Sequence, residues 1–460
     1  MNFKSYLPFY KRNLNLAVPV MITQAGQMIV QFADNIMVGH LGTEQFAGVA
    51  FANTLITIGM VFCIGFTQGL TPYAGQCYGK GNHREVAKYF QNSFIMDLFL
   101  CAVILAIMFA LMPFMPYMGQ DPVILEYAQA YYGYMVVSLI PFILFFAIRN
   151  FSEGIGITKY AMYITIASNL VNIFLNWILI FGNWGAPAMG VDGAAIATLI
   201  SRVLMFISFA IIISTINPYK KYLKLIHKPF IDKVKIQALL KTSIPISLQG
   251  LVEVTAFSLS GIMVGWFGKE ALAANQIALT ITTFSFMIAQ GIGVAATIRV
   301  SHQFGEKRYS DARSAGFAAA HLSVAFMGTA GVLYITFRHI IPYAFTSDPA
   351  VAAIASSLLI ISAGFQIFDA IQLSGIASLR ALSDVKMPLI FSIIAYYFAC
   401  LPLGYFCGHI LNMGPMGVWV GLMLGLFFAA ILFMYRFNKI TKRYIATEHT
   451  SKERITDKSR

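Results

Sequence analysis

Long apolar stretches separated by short polar segments dominate this 460-residue chain. Each stretch has roughly 20 or more residues, which is the length that a helix needs to cross the hydrocarbon core of a bilayer. Backbone groups inside lipid must be hydrogen-bonded within their own segment, so the stretches predict helices. A transmembrane barrel would show short alternating segments instead, and the sequence has none. We predict about twelve spans, at residues 14–38, 47–72, 91–117, 125–150, 160–182, 188–215, 241–266, 273–298, 314–343, 351–378, 388–408 and 416–438.

The composition agrees with this pattern. The chain is 58% hydrophobic and only 11% charged, whereas soluble domains are about 25% charged. A soluble fold of this length could not cover its surface with so few charges, so we predict an all-α integral membrane protein. The first apolar segment contains Pro19, Gln24 and Asp34 and has no small-residue cleavage site. We therefore expect it to stay in the mature protein and not to act as a signal peptide.

The net charge of +13 first suggests a nucleic-acid partner. The basic residues, however, lie before span 1, in every second connection and after span 12, while the opposite loops contain only Lys269 and Arg338. This asymmetry follows the positive-inside rule and predicts that both termini are cytoplasmic. We expect a multi-pass protein of the cell (inner) membrane, with its basic side chains near lipid headgroups and no nucleic-acid partner.

The chain repeats itself. A shift of 226 residues places Pro19 on Pro245 and the motif IMVGHLG at 36–42 on IMVGWFG at 262–268. One further residue of shift carries Asp121-Pro122 onto Asp348-Pro349. Such a constant offset across loops indicates a tandem duplication. Pro19 and Pro245 each remove a helix hydrogen bond, so we predict a kink in spans 1 and 7 that either is static or changes when a cation binds.

The duplication predicts the domain organisation. We expect an N-terminal six-helix lobe at 1–216 and a C-terminal six-helix lobe at 241–438, related by a pseudo-twofold axis along the membrane normal. A basic, amphipathic cytoplasmic linker would join them at 217–240. A polar cytoplasmic tail at 439–460, which we expect to be disordered, would follow. Internal repeats of this kind are typical of secondary transporters, whose sites lie near the midplane.

Of the nineteen acidic residues, few lie inside the spans, and we single out Asp34, Asp97, Glu253 and Asp369. A carboxylate near the bilayer centre costs about 3 kcal/mol on insertion scales, so such groups usually face a cavity or a partner. Asp97 lies only a few residues into span 3, and we interpret it as a headgroup-level residue. Arg202 in span 6 would either pair with Asp97 or extend to the interface.

The repeat duplicates the predicted spans and the motifs at their ends, but it does not duplicate these acidic residues. The matching positions are Asp34 with Ser260, Glu253 with Gln27, and Asp369 with Phe142. A purely structural role would more naturally be present in both copies. The asymmetry therefore predicts one cation site in each lobe, built from different residues.

Asp34 has candidate oxygen partners in Asn172 and Asn176, one turn apart in span 5, and in Thr198 of span 6. One carboxylate with amide and hydroxyl oxygens suits a proton or a hard monovalent cation, although such residues can also hold helices together. In the second half, Glu253 and Asp369 would share a pocket. Two buried carboxylates cannot both stay charged unless a proton, a sodium ion or a cationic drug joins them.

The remaining polar residues show no pattern of catalysis or of metal binding. The five cysteines form no C-x-x-C pair and the eight histidines are scattered. We therefore expect neither an enzyme nor a transition-metal site. No cofactor is expected apart from a coupling ion, either sodium or a proton.

The motifs together resemble the MATE family of multidrug and toxin extrusion transporters, in its NorM branch. The resemblance covers about residues 14–438 and rests on QFADNIMVGHLG at 31–42, its echo at 262–268, the Glu253 and Asp369 pair, QIFDAIQ at 366–372 and LRALSD at 379–384. It implies a V-shaped pair of six-helix bundles and antiport of organic cations against sodium or protons.

The resemblance also implies cation sites at Glu253 with Asp369 and at Asp34 with Asn172 and Asn176. One position departs from the pattern, because Phe365 stands where NorM proteins often have a tyrosine. The missing hydroxyl leaves sodium and proton coupling both open.

We therefore expect a monomeric, cation-coupled antiporter that exports small organic cations and drugs by alternating access and is surrounded by membrane lipids. The alternative is a flippase of related fold for a lipid-linked or polysaccharide precursor. Such a protein usually carries basic residues in its cavity to hold phosphates. The acidic residues of the spans disfavour this alternative, and a channel is disfavoured by the duplicated, kinked halves.

Overall fold

Twelve long helices make up most of the protein. The computed structural model describes residues 6–226 and 231–458, with side chains described as far as residue 448. Within these residues, twelve helices are long and apolar enough to cross a membrane. They are α1 Leu7–Gly39, α2 Thr43–Gly79, α3 His83–Met118, α4 Pro122–Gly154, α5 Lys159–Phe181, α6 Gly190–Thr215, α7 Lys233–Gly265, α8 Lys269–Gly305, α9 Tyr309–Phe337, α10 Pro349–Ala381, α11 Lys386–Ile410 and α12 Pro415–Lys458.

These helices confirm the twelve predicted spans, with differences at the ends. The ninth span was predicted to reach residue 343, but α9 ends at Phe337 and a separate 3₁₀ turn follows at Ile341–Ala344. The prediction of a disordered tail after 439 was wrong, because α12 continues to Lys458. Residues 439–458 contain neither glycine nor proline, so nothing in the local sequence stops the helix.

The segment between the sixth and seventh helices contains a short helix, Tyr219–Lys224. Residues 227–230 of the predicted linker lie outside the described part of the chain. Residues 233–240 form the first two turns of α7, whose start is tied to α3 by an ion pair of 2.9 Å between Lys235 Nζ and Glu85 Oε2.

The repeated Asp-Pro pairs begin two helices in the same way. The Asp121 carboxylate accepts a hydrogen bond of 2.9 Å from the backbone N–H of Val123, and Pro122 is the first residue of α4. Asp348 accepts one of 2.8 Å from the backbone N–H of Ala350 at the start of α10. An aspartate cap accepts from a backbone N–H group that has no partner within the helix, and proline at the first position has no N–H group that requires a partner. The duplicated sequence therefore produces duplicated helix starts.

The chain forms two compact units. The N-terminal unit contains Ile22–Ala74 and Asn82–Leu248, and the C-terminal unit contains the residues up to Met21, Gly75–Gly81 and the residues from Gln249 onward. Three helices, α1, α2 and α7, therefore each contribute to both units. The crossings in α1 and α7 follow Pro19 by two residues and Pro245 by three, so both prolines lie beside the point where their helix leaves one unit for the other.

Small residues allow close helix packing within each unit. A Cβ atom at Gly421 would lie 2.3 Å from the Cα atom of Gly404, where α12 packs against α11. A Cβ atom at Gly193 would lie 2.5 Å from the carbonyl oxygen of Leu179, where α6 packs against α5. In lipid, helices associate through close packing and not through burial of apolar surface. Glycine is favoured at such contacts because it lets the two backbones approach closely. These contacts hold the helices that carry the polar side chains described below.

Candidate functional site

Four polar residues predicted from the sequence come together in the N-terminal unit. The Asn176 amide donates hydrogen bonds of 2.5 Å to Asp34 Oδ1 and 3.3 Å to Asn172 Oδ1. The Asn172 amide in turn donates one of 3.5 Å to Thr198 Oγ1. The helices α1, α5 and α6 therefore supply a continuous chain of amide, hydroxyl and carboxylate groups, which we call the Asp34 pocket.

One oxygen of the Asp34 pocket has no protein partner in the described part of the chain. Asn176 is fully buried, and its Oδ1 atom accepts no hydrogen bond there. Buried polar atoms in folded proteins are nearly always paired. The Thr198 hydroxyl donates to the Ala194 carbonyl oxygen at 3.0 Å and accepts only the long bond from Asn172, so its oxygen retains a lone pair for a cation. The pocket therefore offers several oxygens of the kind that bind hard cations.

Arg202 lies one turn beyond Thr198 on α6, and the predicted pairing with Asp97 was wrong. Its Nη1 donates a hydrogen bond of 2.7 Å to Ser138 Oγ, and its Cζ lies 4.6 Å from the centroid of the Phe142 ring. Within the described residues it forms no ion pair with Asp97. It interacts electrostatically with Tyr131 and with Asp34. The i, i+4 spacing of Thr198 and Arg202 was the sequence signal that placed Arg202 on the same face as the pocket.

Asp97 lies deeper inside its helix than the sequence predicted. It is fully buried, and Ser93 Oγ donates a hydrogen bond of 3.3 Å to its Oδ2. Because α3 begins at His83, eight residues before the predicted start of span 3 at residue 91, Asp97 lies about four turns inside the helix.

In the C-terminal unit, Glu253 of α7 has a phenol as its partner. Tyr396 OH donates a hydrogen bond of 3.2 Å to Glu253 Oε1 and receives one of 2.8 Å from Gln372 Nε2. Tyr396 is fully buried and lies in a π-helical stretch of α11, Ile394–Cys400. Single π turns inside helices often occur at functional sites. The sequence analysis missed Tyr396, and no pattern in the sequence marks this π turn.

Asp369 lies close enough to Glu253 for the two carboxyl groups to interact. Only 4% of Asp369 is exposed, yet within the described residues its carboxyl group makes no hydrogen bond or ion pair. An ionised carboxylate left so would be costly. The structure therefore brings the two predicted acids together, and we call this the Glu253–Asp369 pocket.

Phe365 lies one turn before Asp369 in an apolar wall. It is 3% exposed, and its ring centroid lies 6.1 Å from that of Phe257 and 5.7 Å from that of Trp419. In this lobe the phenol comes from Tyr396 on a different helix. Glu253 therefore has a phenol partner, although position 365 has no hydroxyl group.

Arg380 was assigned from the sequence to the connection after span 10. The structure places it in the last turn of α10, where its Nη2 donates a hydrogen bond of 3.2 Å to Gln249 Oε1. It also interacts electrostatically with Glu253. The sequence analysis missed this role because it attributed basic residues near span ends to topology alone.

Metal-binding side chains do not cluster in the part of the chain that the structure describes. Among the described residues, no three histidine, cysteine, aspartate or glutamate side chains form a group that could hold a metal ion. The two pockets instead combine carboxylates with neutral oxygens. Such a donor set suits protons and hard monovalent cations.

Comparison with known proteins identifies relatives over nearly the whole chain. A family model described as MatE matches residues 19–178 and 245–406, one match in each sequence repeat. The chain is 30% identical to a probable multidrug resistance protein NorM of Bradyrhizobium diazoefficiens, over 95% of this chain and 94% of that protein. It is 32% identical to a probable multidrug resistance protein NorM of Rhodopseudomonas palustris, over 94% of this chain and 92% of that protein.

A solved structure shares the fold. It is described as an outward-facing multidrug resistance MATE family transporter of the MOP superfamily, and it superimposes with a TM-score of 0.89 at 21% identity. The match covers 95% of this chain and 97% of that one.

Proposed function

We propose that this chain, which belongs to the MatE family, is a multidrug efflux transporter that exports organic cations in exchange for sodium ions or protons. The names of its relatives support efflux of drugs. The observation that carries the exchange mechanism is the Glu253–Asp369 pocket, in which the buried carboxyl group of Asp369 lies near half-buried Glu253 and makes no hydrogen bond or ion pair among the described residues.

Competition for this pocket would couple the two movements. An organic cation, a sodium ion or a proton can each cancel one of the two carboxylate charges and so relieve their repulsion, and the three compete for this place. Entry of the coupling cation from outside then releases the drug, and loss of the coupling cation to the cytoplasm restores drug binding. An electrical potential contributes about 2.3 kcal/mol per charge per 100 mV to such an exchange.

The Asp34 pocket is proposed as the cation site of the N-terminal unit, with Asn172, Asn176 and Thr198 as supporting ligands. Cation binding in a pocket must change the side of the membrane from which the transport path is open. Pro19 and Pro245 are proposed as the points where α1 and α7 bend during this change. Each proline lies beside the place where its helix passes from one unit to the other. A proline frees a backbone carbonyl group, which lowers the cost of bending there.

We also propose that the protein acts as a monomer in the cell membrane, with membrane lipids around it and both termini in the cytoplasm. The charge asymmetry of the loops supports this orientation. A single cysteine at Gln120, in a background without the native cysteines, should react with a membrane-impermeant reagent added outside. A single cysteine at Leu225 should not react, and the reverse result would overturn the proposed topology.

Transport is tested with purified protein in liposomes that contain a cationic dye. A sodium gradient and a proton gradient are imposed separately while dye movement is followed. We expect one gradient to drive the dye, and we expect Glu253→Gln and Asp369→Asn each to abolish this movement. Glu270→Gln, which removes an acid at the start of α8 in the same unit, is the matched control and should transport normally.

Two outcomes would contradict the proposal. Normal transport by both Glu253→Gln and Asp369→Asn would refute the role of the Glu253–Asp369 pocket. No dye movement under either gradient, with the protein folded and inserted, would favour the lipid-precursor flippase.

A further inference from the structure

Arg202 is a positively charged group in the interior of the N-terminal unit, and neutral groups hold it in place. Its guanidinium donates to Ser138 Oγ and, at 3.8 Å, to Met60 Sδ, and it lies over the ring of Phe142. Within the described residues no carboxylate approaches it within ion-pair distance. Arg202 nevertheless lies one turn from Thr198 on α6, and hydrogen bonds through Asn172 and Asn176 link Thr198 to Asp34. Tyr131 and Asp34 are both near enough to interact with Arg202 electrostatically.

The sequence repeat shows that this arrangement belongs to one unit only. Phe142, beneath Arg202, stands at the position that matches Asp369 in the other repeat. The position that matches Arg202 is Ala429, which is fully buried. At these two matched positions the C-terminal unit therefore has an acid and a methyl group, whereas the N-terminal unit has the aromatic ring of Phe142 and the guanidinium of Arg202.

The two pockets consequently differ in charge when they hold no cation. The Asp34 pocket contains one carboxylate and the nearby Arg202, whose charge partly compensates ionised Asp34. The Glu253–Asp369 pocket contains two carboxyl groups with one nearby guanidinium, that of Arg380. A cation that binds beside Asp34 must therefore overcome repulsion from a fixed positive charge, whereas a cation in the other pocket fills a deficit of positive charge.

We propose that Arg202 is an internal counter-ion for Asp34 that sets the cation affinity of the Asp34 pocket. This inference rests on the proposed function, because it assigns Asp34 to cation binding. When the coupling cation leaves, Arg202 stabilises the ionised carboxylate without touching it. The affinity of the pocket is thereby kept low enough for the cation to be released, and Arg202 acts on affinity and not as a ligand.

Removal of the charge should therefore tighten cation binding. For two unit charges several ångströms apart at an effective dielectric constant of about 20, the interaction corresponds to a change in affinity of roughly tenfold to a hundredfold. We expect Arg202→Gln to lower the half-saturating concentration of the driving cation by such a factor and to slow export, because release becomes slower.

A conservative variant separates charge from packing. Arg202→Lys keeps the charge but loses the planar group that lies over Phe142 and donates to Ser138. If the charge matters, Arg202→Lys should stay within about threefold of the wild type in half-saturating concentration. Ser138→Ala, which removes the hydrogen bond but not the charge, should do the same.

A binding measurement keeps this inference distinct from the proposed function. Trp177 follows Asn176 on α5 and is 40% exposed, so its fluorescence can report on the Asp34 pocket. The other three tryptophans are replaced by phenylalanine, and the full chain in detergent is titrated with sodium chloride and, separately, with acid. Arg202→Gln should shift the midpoint of one of these titrations toward tighter binding by at least about tenfold.

The outcomes are separable. Failure of gradient-driven dye export in the wild type would refute the proposed function, while the Trp177 titration would still test Arg202. An unchanged midpoint in Arg202→Gln, or an equal shift in Arg202→Lys, would overturn the counter-ion role and leave Arg202 as a packing residue.

Discussion

The hydroxyl of Tyr396 offers a sharp test of the Glu253–Asp369 pocket. Gln372 Nε2 donates to this hydroxyl at 2.8 Å, and the single hydroxyl proton has two acceptors in reach, Glu253 Oε1 at 3.2 Å and Gln372 Oε1 at 3.1 Å. An ionised carboxylate is the stronger acceptor of the two, so the proton is donated to Glu253 when that group is charged. Tyr396→Phe removes the hydroxyl but retains the ring, whose centroid lies 6.2 Å from that of Phe257. The substitution therefore changes one polar contact of the acid with little change in packing.

The size of the effect follows from the contact. A hydrogen bond to a charged group is worth about 1.5–3 kcal/mol, and the distance of 3.2 Å favours the lower end of this range. A value of about 1.4 kcal/mol corresponds to tenfold in a binding constant. Because the phenol stabilises ionised Glu253, the form that binds a metal cation, we expect sodium affinity to fall about tenfold in Tyr396→Phe. A proton-coupled protein would shift the pH dependence of export instead.

The assay is cation-driven dye export from liposomes, measured over a range of cation concentrations. Tyr397→Phe is the matched control, since it removes the neighbouring phenol, which bonds to Thr255 Oγ1 at 2.6 Å and not to Glu253. We expect the half-saturating cation concentration to change in Tyr396→Phe and to remain normal in Tyr397→Phe. Equal behaviour of the two variants would refute the assignment of Tyr396 to the pocket.

Four further substitutions, at three positions, test the N-terminal unit and the packing. Asn176→Leu should weaken cation binding by about tenfold or more, since it removes the hydrogen bond of 2.5 Å to Asp34, whereas Asn176→Asp should tighten cation binding. A Trp177 fluorescence titration would measure both affinities. Shifts of both variants in the same direction would contradict the role of the Asp34 pocket. Asp34→Asn should abolish gradient-driven dye export while the protein stays in the membrane, and normal export would exclude Asp34 from coupling. Gly421→Ala should lower the thermal midpoint of the detergent-solubilised protein, because its methyl group would lie 2.3 Å from Gly404, and an unchanged midpoint would contradict the tight contact.

The sequence by itself determined the membrane class, the twelve spans and the duplication. These follow from one-dimensional patterns, since span length is set by bilayer thickness and the repeat survives as a constant offset. The acids of the pockets were also visible, because a carboxylate in an apolar span is costly whatever surrounds it.

Only the tertiary structure decided which groups surround those acids. Tyr396 meets Glu253 through a π turn in α11, and Arg202 lies over Phe142 because α6 packs against α4. Contacts between helices depend on rotation and packing, which small shifts in local geometry change and which hydropathy does not encode. The sequence therefore showed where buried charge lies along the chain, and the fold determined which charges and hydroxyl groups act on one another.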